Sequence, residues 1–160
     1  MESLDKRIEF WIEQLENDKV FDKIMSQMEE QSPDLLAYFY LPQFEDLKED
    51  EGSFLLFIGS ILFASISNGG KETLPAVTLD QIQELEDRNW KLWEKLPGKS
   101  FDEKVNGLPD DLWDPGTDLI VTMIEHDAEM ELNWPPAVQE ILFVSLLSFY
   151  HAMTGDGSLE

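Results

Sequence analysis

Two short stretches hold the residue types best able to do chemistry. His126 and Asp127 stand side by side after Glu125, and His126 is one of only 2 histidines in the chain. An imidazole between two carboxylates is a donor set for a divalent cation or an acid–base pair. On a helical wheel at about 100° per residue, Leu119, Ile120, Met123, Ile124 and Met130 define an apolar arc. Asp127 falls near the middle of that arc and His126 at its edge. Burying an unpaired carboxylate is costly. Asp127 therefore sees water where the helix frays, bridges to another helix, or serves a site. The second stretch is Asp110-Asp111-Leu112-Trp113-Asp114. Its carboxylates around an indole suit contact with a basic groove on a partner. The competing account is a solvated acidic loop with Trp113 tucked into the core.

Neither stretch completes a catalytic constellation. The HD phosphohydrolases share the His126-Asp127 dipeptide but need a further histidine upstream, and the other histidine, His151, lies downstream. Glu125 and Glu129 share a helix face, but the Glu-x-x-His pairs of carboxylate di-metal bundles are absent. Glu13-x-x-Glu16 and Glu84-x-x-Asp87 spell the motif letters of the all-α nucleotide pyrophosphohydrolases, far apart in a chain with 34 acids. Asp110 to Asp114 spells the aspartate motif of terpene synthases, which needs a longer chain and a helix. Here Pro109 and Pro115 flank it. Pro115 also stands where a calcium-loop glycine belongs. There is no Gly-x-Ser-x-Gly, phosphate loop or dinucleotide glycine fingerprint. With 0 cysteines, thiolate metal sites, disulfides and cysteine catalysis are excluded. No cofactor is expected, and the balance leans away from an enzyme.

Charge points the same way. The net charge is -23, from 34 acids against 11 bases. No Lys or Arg follows Lys104, whereas 11 acids do. Phosphate backbones repel such a surface, so direct nucleic-acid binding is not expected. A basic protein is the partner this balance would attract. Met1 to Asp5 has no basic run leading into an apolar one, so no secretory leader is expected and a cytoplasmic location is. The apolar run Phe54 to Ile66 spans roughly 20 Å as a helix, short of the about 30 Å of a bilayer core. A buried helix is expected there instead, with no membrane partner.

The elements that must hold these residues are helical throughout. Leu4, Ile8, Trp11, Ile12 and Leu15 recur at helical spacing, as do Val20, Phe21, Ile24, Met25 and Met28, with a break at Asn17-Asp18. Ser32-Pro33 reads as a helix start, and Pro42 should end that helix. Phe44 to Gly52 is expected as a short acidic helix, with Glu45 to Glu51 at its C-terminus opposing the dipole. Thr78-x-x-Gln81 is a capping box opening a helix through Ile82, Leu85, Trp90 and Trp93. Thr117 or Asp118 can cap the helix that carries His126.

Two stretches carry no charged residue, Gly52 to Gly70 and Ile141 to Gly155. They predict buried apolar helices over 53–68 and 136–154, each with a stripe of small residues. The expectation is a single all-α domain over 1–160, an irregular bundle of about seven helices, with 97–116 as a Pro-, Gly- and Asp-rich loop. The leading functional expectation is protein–protein binding, of an inhibitor, immunity or adaptor kind, through Asp110, Asp111, Trp113 and Asp114. The alternative is an enzyme or metal-binding protein centred on Glu125, His126 and Asp127. A homo-oligomer joined through an apolar helix face is the third.

Overall fold

The computed structural model describes residues 3–127 and 134–154. Over these residues the protein is all-α, with no strand. Eight α-helices follow in order: α1 (Leu4–Gln14), α2 (Asp18–Gln31), α3 (Pro33–Tyr38), α4 (Glu49–Ser67), α5 (Leu79–Lys95), α6 (Phe101–Asn106), α7 (Pro115–Asp127) and α8 (Pro136–Thr154). Short 3-10 turns occupy Pro42–Phe44 and Asp110–Leu112.

Local chemistry sets most boundaries. Asn17 caps α2 by accepting from the Lys19 and Val20 amides. Thr78 and Gln81 close their capping box in both directions, at 3.2 and 2.9 Å. Ser100 accepts from the Glu103 amide and opens α6. Ser32 stands at the start of α3, but its side chain makes no capping bond.

Two expectations fail at helix starts. Phe44 to Gly52 is not a separate helix, because α4 begins at Glu49. Glu49, Asp50 and Glu51 thus sit in its first turn, where acids favour the dipole rather than oppose it. Glu51 is buried, and its Oε1 accepts from the Lys48 amide at 2.8 Å. That bond satisfies an amide the helix leaves orphaned. Likewise neither Thr117 nor Asp118 caps α7. Asp114 does, its Oδ1 accepting from the Thr117 amide at 3.0 Å, with Pro115 at the first helical position.

The two uncharged helices form the centre. Ile58, Ile61, Leu62 and Phe63 of α4 and Leu142, Val144, Leu146 and Phe149 of α8 are buried. The two helices pack on each other, and α8 packs most extensively on α5. The small-residue stripes are only partly used. Gly59 lies against the Phe39 ring, and Phe39 stacks tilted on Phe149 at 4.6 Å. Ser60, Ser145, Ser148 and Ala152 are buried, whereas Ser53 and Ala137 are exposed. With its first turn included, α4 has 19 residues, about 28 Å at the helical rise. Both α4 and α8 are therefore long and apolar enough to cross a membrane by length and composition, and 67% of each apolar window is buried within this fold.

The C-terminus of α4 is locked by residues from α1. Asn68 adopts the left-handed conformation (φ 52°) and Gly69 follows at φ 70°. The Gly69 amide closes back on the Ala64 carbonyl at 2.8 Å. A side chain on Gly69 would strike the Trp11 ring. Arg7 donates to the Ser65 carbonyl at 3.3 Å and pairs with Glu72 at 2.8 Å. A cation thereby meets the negative end of the helix.

Candidate functional site

The acidic loop is pinned on both sides. Phe101 and Val105 of α6 and Leu108 beyond it enter the core, where Phe101 meets Trp93 at 5.5 Å. Leu119 and Ile120 of α7 are buried on the other side. Between these anchors the chain turns through Asp110–Leu112, with Leu112 partly buried against the core. Asp110, Asp111 and Trp113 are exposed. Trp113 is 37% exposed, so an edge of the indole reaches solvent while the rest of the ring is covered by the fold.

The four predicted contact residues therefore divide. Asp110 and Asp111 form no side-chain hydrogen bond or ion pair with another described residue. Asp114 is spent on capping α7 and is partly buried. Lys104, the last cation in the sequence, turns inward. Its ammonium donates to the Trp93 carbonyl at 3.0 Å and stands 5.4 Å from the centre of the Trp93 ring. It forms no ion pair with the aspartates.

Glu125, His126 and Asp127 occupy the last turn of α7. Glu125 is half-buried, while the side chains of His126 and Asp127 lie outside the described residues. Among the described residues no group of three or more His, Asp or Glu converges as a metal site.

A polar seam runs between α3, α5 and α8. Asn89 is only 3% exposed and donates to Ser148 Oγ at 3.0 Å. Ser148 in turn donates to the Val144 carbonyl at 2.7 Å. His151 is 2% exposed, with Arg88 Nη2 at 3.5 Å from its Nδ1. It is a core histidine. Further along, the buried Tyr38 hydroxyl donates to Glu86 Oε2, which also accepts from Gln43 at 2.6 Å. Burial pushes the Tyr38 hydroxyl well above the ordinary tyrosine value of 10.0, the Glu86 charge and hydrogen bond add to the rise, and Ser145 partly offsets it. No nucleophile–base pair emerges from this seam. Its groups are bonded to each other and fix how the helices seat.

Sequence reasoning missed the seam because it placed Trp90 on the buried face of α5. Asn89 holds that position, four residues from both Leu85 and Trp93, while Trp90 is half-buried. A polar residue at the helical spacing of a core stripe was the available signal. Comparison of the chain with protein-family models, with curated proteins and with solved structures gives no match.

Proposed function

We propose that this protein works by binding a basic protein partner, as an inhibitor, immunity-type protein or adaptor, with Asp110, Asp111 and Trp113 at the contact. One observation carries the reading. Of the five tryptophans, Trp113 presents the most surface to solvent, at 37%, and it stands beside two exposed carboxylates without ion-pair partners among the described residues. Exposed indoles are unusual outside contact surfaces, and tryptophan is enriched among residues that dominate binding energy. The net charge of -23 supplies the long-range field that would steer a basic partner inward.

The test starts with capture from native lysate at low salt, followed by purification of the partner. Association is then followed by surface plasmon resonance over rising ionic strength. The on-rate should fall steeply with salt while the off-rate changes less. A partner without a basic surface, or an on-rate indifferent to salt, would remove the proposal.

A further inference from the structure

One pocket reverses the charge of the whole molecule. It lies between α1, α2 and the C-terminal end of α4, with a volume of about 380 Å³. Arg7, Lys23 and Lys71 line it, and no Asp or Glu does. In the whole chain acids outnumber bases 34 to 11. The rest of the lining is largely apolar. Trp11 and Ile24 form part of the wall, and Phe10, 50% exposed, meets Trp11 edge-on at 5.1 Å.

The end of α4 accounts for only one of these cations. Arg7 satisfies the Ser65 carbonyl and pairs with Glu72. The ammonium groups of Lys23 and Lys71 are exposed and form no hydrogen bond or ion pair with a described residue. They come from separate elements, α2 and the turn after α4, and both line this pocket. Lysine left unpaired in so acidic a protein is available to an outside anion. The volume falls within the range of about 300–1,000 Å³ typical of small-molecule sites, which combine apolar walls with a few polar groups.

We infer that this pocket binds a small organic carboxylate. A ring-sized apolar body lies against Phe10, Trp11 and Ile24, and the carboxylate is held by Lys23 and Lys71. The apolar wall selects against bare inorganic anions. The two ammonium groups select against neutral ligands of the same shape, and the surrounding negative field excludes anions that lack this local pairing.

The test is titration of the isotope-labelled protein with 2-naphthoate, with octanoate as a second probe and 2-naphthamide as the uncharged control. Amide and indole resonances are read throughout. The expected result is saturable movement of the Trp11 indole and of the Gly69 and Lys71 amides. The carboxylate should bind about tenfold more tightly than the amide. Lys23→Gln and Lys71→Gln should each weaken carboxylate binding by about threefold to tenfold. Both lysines are exposed, so the variants should melt as the wild type does. The inference fails if neither carboxylate saturates, if acid and amide bind equally, if the double variant keeps full affinity, or if the shifts cluster elsewhere. None of these outcomes bears on the basic-partner proposal, since no basic protein is present.

Discussion

Asn89 on α5 and Ser148 on α8 meet at 3.0 Å in the most extensively packed helix pair of the fold. Both are buried, and Ser148 passes a hydrogen bond on to the Val144 carbonyl. Removing one partner strands a buried polar group, whereas removing both need not. Asn89→Ala should therefore lower stability by about 1–3 kcal/mol. The double variant Asn89→Leu with Ser148→Ala should recover most of that loss. Urea unfolding of the singles and the double would measure it. Single variants as stable as wild type would show that the bond contributes nothing.

Tyr38 makes stability depend on alkaline pH. Its folded-state pKa is raised, first by burial and then by Glu86. The folded protein thus keeps a proton that the unfolded chain releases above pH of about 10. The resulting stability is fully present below that pH and is lost as pH climbs towards the raised value, at up to about 1.4 kcal/mol per pH unit. Tyr38→Phe should flatten this part of the curve while leaving the slope near neutral pH alone. Chemical denaturation at a series of pH values would test it, and identical alkaline slopes for the two proteins would refute the assignment.

Gly116 lies where α7 begins, directly against the Tyr150 ring. A Cβ placed there would come within 2.2 Å of the ring. Alanine normally favours a helix over glycine by about 1 kcal/mol. Overpacking costs about 1–3 kcal/mol, and here the clash is with a buried aromatic ring on α8. Gly116→Ala should therefore destabilise the protein despite its better propensity. A higher melting temperature for the variant would show that the ring moves aside freely.

Much of the fold is legible in the sequence because its signals are local. The uncharged runs predict α4 and α8 as the core, and Asn17 and Thr78 mark helix starts through short capping bonds. The errors arise where two local rules compete. Glu49 to Glu51 follow an acidic run and read as its end, yet as the first turn of α4 they favour the dipole, and the Lys48 amide gains an acceptor from Glu51. Asp114 reads as part of an acidic motif, but Pro115 behind it makes it a cap. Asn89 was hidden by the larger Trp90 beside it, since hydrophobicity alone favours the indole for the buried face. The pocket of Arg7, Lys23 and Lys71 was not legible at all. Its cations come from positions far apart in the chain, and only packing brings them together.

The most direct measurement is a pair of readings on Trp113→Ala. The indole is 37% exposed, far more than the core indole of Trp93. Its removal should cost clearly less stability than removal of the buried Trp93 indole. For comparison, Trp93→Ala in the core should cost about 3–5 kcal/mol. Binding to the purified basic partner should weaken by about tenfold or more, the scale of a residue that anchors a contact. Folded Trp113→Ala protein that binds the partner with wild-type affinity would contradict the account.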